Sequence, residues 1–143
     1  MKWIKWFLIL IALICAAEAR AQQCTVSSVA VSFGAYDPTV GNPLNATGSI
    51  SVTCTPATMS VVRLDPGRNS GGNFSQRKMQ GDGNYLTYNL YTDAACTKIW
   101  GDGTGNTFTQ AGGSNVIVYG KIPAIQKVTP GVYSDFVTII VEW

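Results

Sequence analysis

The sequence predicts an all-β protein whose short strands pack as an immunoglobulin-like β-sandwich. Apolar residues alternate with polar ones in short segments at fairly even spacing, and Gly, Pro and Asp residues typical of turns separate these segments. After the N-terminal region, apolar residues do not recur at the three- and four-residue spacing of a helix over any useful length. The alternation alone separates a sandwich from a barrel poorly, so a barrel stays open at this point.

The predicted strands are rich in Val, Ile, Thr, Tyr and Phe, which favour a pleated, half-buried surface. They lie at residues 29–33, 48–54, 62–64, 86–90, 116–122 and 137–143, with a further short segment near 77–79. Two polar, glycine-rich stretches at residues 69–83 and 101–114 are predicted to be loops at the rim of the sandwich.

The N-terminus is typical of a secretory signal peptide. Lys2 and Lys5 precede an uninterrupted apolar run at residues 6–17, and small residues follow it. The run is shorter than the roughly 20 apolar residues that a transmembrane helix needs. We therefore predict a signal peptide at residues 1–21 with cleavage after Ala21; cleavage after Ala19 is the alternative.

Residues 22–143 are then predicted to form one domain, with no membrane span in the mature chain. The formal charge of +2 belongs to the precursor, because the signal peptide removes more basic than acidic residues. The mature chain carries basic and acidic residues in equal numbers and has no basic cluster, so we expect no nucleic-acid partner.

The mature chain contains three cysteines, Cys24, Cys54 and Cys96. Export would place them in an oxidising compartment, and the odd number leaves at least one unpaired within the chain. Cys24 and Cys54 each lie at one end of an alternating segment, so a bridge between them would join neighbouring strands. We predict this pair and an unpaired Cys96, although the sequence alone leaves the other pairings open.

The sequence does not indicate an enzyme. It contains no histidine, which removes the usual general base, the Ser-His-Asp triad and the commonest metal ligand. Most carboxylates lie beside Gly or Pro in turn sequences such as Asp65-Pro66-Gly67. A glycosidase with two carboxylates remains conceivable on paper. We predict no catalytic, cofactor-binding or metal-binding residues.

Two further patterns have a functional and a structural interpretation. The segment 101–106 (GDGTGN) places oxygen ligands near glycine, but it lacks the spacing and final acidic residue of an EF-hand loop, which favours a surface turn. Tyr85, Tyr88, Tyr91 and Trp100 would suit a sugar-binding platform, yet such residues more often pack in a core.

Several segments together resemble the spore coat protein U domain family, which supplies subunits of archaic chaperone–usher pili and some bacterial coat proteins. The matching segments follow one another through the mature chain, which makes the combination specific although each is weak alone. They are 24–26 (CTV), 33–38 (FGAYDP), 48–55 (GSISVTCT), 77–79 (RKM), 86–93 (LTYNLYTD), 100–104 (WGDGT), 118–123 (VYGKIP) and 131–135 (GVYSD).

The resemblance implies an immunoglobulin-like sandwich that lacks its final strand, as in a pilin. In such subunits a chaperone strand first fills the gap and the N-terminal segment of another subunit then replaces it, a form of β-augmentation. Val137, Ile139 and Val141 would help to line the acceptor groove. The resemblance also implies the Cys24–Cys54 bridge, and it implies as partners a periplasmic chaperone, an outer-membrane usher and other pilus subunits.

These implications lead to an expected function. We expect a non-enzymatic, structural or adhesive subunit of a surface pilus or coat, located in the periplasm in transit and then at the cell surface. Only Gln22 and Gln23 would precede Cys24 after cleavage, so we expect a subunit that accepts a strand without donating one, at a tip or minor position. The alternative is a self-complete secreted β-sandwich that binds a surface or a carbohydrate.

Overall fold

A computed structural model describes residues 21–143, so the predicted signal peptide, apart from Ala21, lies outside the described residues. The prediction of an all-β sandwich is confirmed. The described part of the chain forms eight strands in two antiparallel sheets. The strands are β1 (Gln23–Val29), β2 (Leu44–Thr55), β3 (Val61–Leu64), β4 (Arg77–Gly81), β5 (Asn84–Tyr91), β6 (Gln110–Ala111), β7 (Val116–Ile122) and β8 (Ile139–Glu142).

The larger sheet has five strands in the order β1-β2-β7-β5-β4, and the smaller has three in the order β6-β3-β8. β1 and β4 therefore lie at the edges of the larger sheet, and β8 lies at one edge of the smaller sheet. An isolated bridge between Gln80 and Ser134 connects the β4 edge to the segment that leads into β8.

The core lies between the two sheets and follows from the two-residue period of their strands. Alternate residues of each strand point inward, and these are the most deeply buried apolar side chains. They are Ile50, Val52, Val62, Leu64, Met79, Leu86, Tyr88, Leu90, Val116, Val118 and Ile122, joined by Trp100. The indole nitrogen of the fully buried Trp100 donates a hydrogen bond to the Val62 carbonyl at 3.0 Å, which satisfies its polar group.

The segment predicted as a strand at residues 29–33 behaves differently from the others. β1 ends at Val29, and the chain then crosses the inner face of the larger sheet. A Cβ atom on Gly120 would lie 2.6 Å from Val31 Cγ1 and 2.7 Å from Phe33 Cζ, so glycine lets this segment approach the sheet closely. Val31 and Phe33 therefore alternate with small residues because their side chains contact the core, although this segment pairs with no neighbouring strand among the described residues.

The structure pairs Cys24 with Cys54. These residues lie directly opposite one another on β1 and β2, with Cα atoms 4.0 Å apart, so the disulfide fastens the edge strand to its neighbour. Cys96 is half-buried and has no disulfide partner within the described residues.

Arg77, on β4, is fully buried and holds the two sheets together. Its guanidinium donates hydrogen bonds of 2.7 Å to the Asn89 side chain, to the Asp65 carbonyl and to the Trp100 carbonyl. Asn89 belongs to β5 of the larger sheet, whereas Asp65 directly follows β3 of the smaller sheet. Burial lowers the pKa of Arg77, and the nearby Tyr88, Asp65 and Asp135 partly oppose this change. Arginine still keeps its proton in proteins, so a buried cation bridges the layers.

Removing the disulfide should weaken the fold. Replacing Cys24 and Cys54 by serine opens a loop of 30 residues. We expect the free energy of unfolding to fall by about 3–4 kcal/mol because the unfolded chain regains conformational entropy. Urea denaturation of oxidised residues 22–143 measures this change. The control is Cys96→Ser, which breaks no cross-link within the described residues; an equal loss in both proteins would contradict the prediction.

Replacing Arg77 should be more damaging than replacing a surface arginine. Arg77→Met leaves the Asn89, Asp65 and Trp100 oxygens without their buried donor, and we expect a loss of at least about 3 kcal/mol. Arg68→Met is the matched control, because the Arg68 side chain is exposed and packs over Phe136. Comparable unfolding midpoints for the two variants would show that the Arg77 network contributes little.

Candidate functional site

A groove runs between two segments of the chain, the end of β1 with the residues that follow it and the residues that lead into β8. One wall is formed by residues 28–33 and the other by residues 133–139, with a volume of about 420 Å³ between them. The floor of the groove consists of apolar core side chains. They are Ile50, Leu64, Met79, Leu90 and Val118, together with the ring of Tyr88. A second cleft of about 720 Å³, between residues 30–38 and 128–133, shares Val31, Phe33, Met79 and Tyr133 and extends the groove.

In the wall that leads into β8, successive side chains point alternately inward and outward. Its odd-numbered residues, from Tyr133 to Val141, are half-buried, whereas the even-numbered ones are exposed. Arg68 N–H donates to the Phe136 carbonyl and Asp65 N–H donates to the Thr138 carbonyl, each at 3.1 Å. Hydrogen bonding alternates along an antiparallel strand, so the backbone groups of the odd-numbered residues point to the other edge, toward the groove.

The opposite wall also has unused backbone groups. Residues 30–36 make no backbone–backbone hydrogen bond with other described residues, although Val31 and Phe33 lie half-buried over the core. The Phe33 ring packs edge-on against the Tyr88 ring, with centroids 6.0 Å apart. The groove is therefore bounded on both sides by backbone that lacks a strand partner, above an apolar floor.

The lining contains one carboxylate, Asp135, which is hydrogen-bonded to the Tyr88 hydroxyl. The Tyr88 hydroxyl donates to Asp135 Oδ2 at 2.8 Å, and Asp135 Oδ1 accepts from the backbone N–H of Arg68 and from the Asn69 amide, both at 3.0 Å. Burial raises the pKa of Tyr88, and the hydrogen bond to Asp135 and the charge of that carboxylate raise it further. Tyr88 thus stays protonated and serves as a donor.

The predicted acceptor residues are only partly those that the structure brings together. Val137 and Ile139 line the groove, whereas Val141 lies outside its lining and packs half-buried against the core. The opposite wall was missed, because Val31 and Phe33 were assigned to an ordinary strand. Asp135 was missed as well, although the alternation through Ile139 and Val137 reaches it two residues earlier.

Two carboxylates outside the groove, Asp93 and, in the GDGTGN segment, Asp102, have structural roles here. Asp93 accepts hydrogen bonds from the Thr97 hydroxyl and from the backbone N–H of Thr97 and Lys98. Asp102 accepts from the hydroxyl and backbone N–H of Thr104. In both cases hydrogen bonds from these threonine side chains lower the pKa of the carboxyl. These carboxylates therefore stabilise their own loops.

The four aromatic residues considered as a sugar platform do not share an exposed surface. Tyr88 and Trp100 are buried in the core, Tyr91 is half-buried, and Tyr85 is exposed with the Lys78 ammonium 5.7 Å from its ring centroid. Within residues 21–143, no three His, Cys, Asp or Glu side chains lie close enough together to hold a metal ion. The same residues include no helix with the length and apolar character required to cross a membrane.

Comparison with known proteins identifies the family. The model of the Spore Coat Protein U domain matches residues 10–140. Protein U of Myxococcus xanthus is 35% identical over 138 residues, covering 84% of this chain and 77% of that protein.

A solved structure shares the fold at lower identity. It is the pre-assembly complex of CsuC and CsuE, a chaperone and a tip adhesion subunit of archaic chaperone–usher Csu pili from Acinetobacter baumannii. The TM-score is 0.56 at 21% identity, covering 85% of this chain but only 40% of that one, so this chain spans less than half of its length. The family match and the curated relative together show that the chain belongs to the Spore Coat Protein U domain family.

Proposed function

We propose that this protein is a structural subunit of a surface pilus or coat, and that its groove accepts a donor β-strand from another chain. The observation that carries the proposal is a pair of walls above an apolar floor, in which residues 30–33 on one side and the odd-numbered residues of 133–139 on the other have no backbone partner among the described residues. Such an arrangement matches β-augmentation, in which an added strand gains main-chain hydrogen bonds and places alternate side chains in pockets.

The energetics favour occupation of the groove. An inserted strand presents an inward side chain every second residue, or about every 7 Å. Each Val, Leu or Ile side chain fully buried on the floor would contribute about 1.5–3 kcal/mol. Left open, an apolar groove with two unpaired edges is a hazard for aggregation. We therefore expect this subunit to depend on a strand supplied by another protein.

The partners follow from this dependence. A periplasmic chaperone would supply the first strand, and an outer-membrane usher would exchange it for that of another pilus subunit. Family membership and the fold shared with a subunit solved in complex with a chaperone support this route. The protein would pass through the periplasm and reside at the cell surface, in a structural rather than a catalytic role.

A peptide-binding experiment tests the acceptor groove. Residues 22–143 are produced in an oxidising compartment, and their oligomeric size and melting temperature are compared with and without ten-residue peptides of alternating apolar sequence. We expect aggregation or a low melting temperature for the chain alone, and a clear increase with peptide, because the peptide covers the floor and pairs with both walls.

Two neighbouring residues provide a matched pair for this experiment. Ile139 lines the groove, whereas Ile140 is 42% exposed on the other face of β8. Ile139→Asp should weaken peptide binding by at least about tenfold by placing a charge on the floor, and Ile140→Asp should leave it nearly unchanged. A stable monomer whose melting temperature no peptide alters would show that the sandwich is already complete, and a secreted binding module would replace the proposal.

The position in a fibre stays a prediction. A subunit that accepts a strand without donating one cannot form the repeating shaft, so we expect it at a tip or minor position. Immunogold labelling of an epitope-tagged protein on intact cells should therefore mark fibre ends or sparse sites. Regular labelling along the shaft would contradict a tip or minor position without contradicting the acceptor role.

A further inference from the structure

We propose that the groove selects a donor strand carrying one basic residue, Lys or Arg, at the inward position that faces Asp135. This inference rests on the proposed function, since it concerns the strand that the groove accepts. The residue facing Asp135 would identify the correct partner and also determine how far along the groove its strand lies.

Asp135 lies on the same face of its wall as the apolar residues that follow it. Asp135, Val137 and Ile139 alternate inward, and all three line the groove. A donor strand has the same two-residue period, so its successive inward side chains would face these residues in turn. One inward side chain of the donor therefore comes to lie against a carboxylate, whereas its neighbours meet apolar groups.

The surrounding loop holds this carboxylate in place. A Cβ atom on Gly67, whose φ of +81° already suits glycine, would overlap Asp135 Oδ2. Arg68 N–H, the Asn69 amide and the Tyr88 hydroxyl hold the two oxygens from three directions. The carboxylate is thus fixed by both chain geometry and hydrogen bonds before any donor strand arrives.

The three hydrogen-bond donors to Asp135 are all uncharged. A carboxylate has about four lone-pair positions, so one position stays open to a further donor. The Arg68 guanidinium lies 4.9 Å from the centroid of the Phe136 ring. Among the described residues, the ion pair that the structure contains is Arg63 with Glu142 at 2.7 Å, so Asp135 has no cationic partner there.

The nearest buried cation, Arg77, does not pair with Asp135. Arg77 interacts electrostatically with both Asp65 and Asp135, so two carboxylates face one guanidinium. The hydrogen bonds of that guanidinium go to carbonyls and to Asn89, not to Asp135. Asp135 therefore forms no ion pair with this guanidinium, and a donor cation could form one with it.

Insertion of a donor strand raises the free-energy cost of leaving the Asp135 charge without an ion-pair partner. An entirely apolar donor would displace water from Asp135 and leave a buried charge without a counterion, which is costly. A Lys or Arg at the facing position removes that cost. A shift of the donor by one residue would turn the cation outward, and a shift by two would place it against Val137, so the charge also defines the register.

A positional scan tests the inference. Ten-residue apolar peptides carry a single Lys moved through each inward position, and each peptide is compared with one carrying norleucine there, which keeps the alkyl chain but lacks the ammonium. Isothermal titration on residues 22–143 should find one position where Lys binds about tenfold tighter than norleucine and weaker binding for Lys elsewhere. Glu at the preferred position should bind more weakly than norleucine.

Asp135→Asn links the preference to the carboxylate. This variant should bind Lys and norleucine peptides with similar affinity, whereas Asp102→Asn, outside the groove, should keep the tenfold preference. If apolar peptides bind but Lys is never preferred, or if Asp135→Asn keeps the preference, the inference is wrong and the acceptor groove stands. If no peptide binds at all, the proposed function itself fails. The comparison of Lys, norleucine and Glu peptides on the unmodified protein remains decisive if Asp135→Asn does not fold.

Discussion

Every strand edge carries N–H and C=O groups that need hydrogen-bond partners, and among the described residues such groups lack partners on both sides of one gap, the groove. On one side, the odd-numbered residues before and within β8 direct their backbone groups away from β3. On the other side, residues 30–36 cross the inner face of the larger sheet without backbone partners among the described residues. The position of the groove and its apolar floor follow from this gap, and the dependence on an added strand that we propose rests on it.

The fold must hold its two layers together around this groove. The Arg77 guanidinium connects β5 to the residue after β3, and the Trp100 indole reaches the Val62 carbonyl of the smaller sheet. The disulfide fastens β1, the edge strand that leads into one wall of the groove, to β2. These contacts lie beside or beneath the groove and outside the gap, so the site can be shaped before a strand fills it. A buried arginine satisfied mainly by carbonyls suits this role, because its planar donors join several acceptors from different strands at once.

Strict alternation made much of the fold predictable from the sequence. Buried residues recur at every second position in β2, β5 and β7, and the structure places these strands as neighbours in the larger sheet. The pattern was less informative at residues 29–33, where it correctly indicates inward apolar side chains but cannot show that the neighbouring strand is absent. Arg77 could not be recognised, since a charged residue is ordinarily expected at the surface and only the fold brings its acceptors together. Asp135 was hidden for a related reason, because its role depends on Tyr88, distant in sequence, and on the loop after β3.

A carboxylate within an apolar groove requires a physical reason, because an entirely apolar lining would bind an apolar strand more tightly. The advantage lies in discrimination. An apolar floor accepts many alternating sequences with similar affinity. A single unpaired charge weakens the binding of every donor that does not neutralise it. Specificity therefore arises because the wrong donors bind less tightly. The same charge distinguishes registers that the two-residue period leaves nearly equivalent, since a shift by two residues keeps all apolar side chains inward and changes only the residue that meets Asp135. If, as we propose, the groove first accepts a chaperone strand and then exchanges it for another, it needs this kind of difference between occupants more than it needs the highest affinity for either.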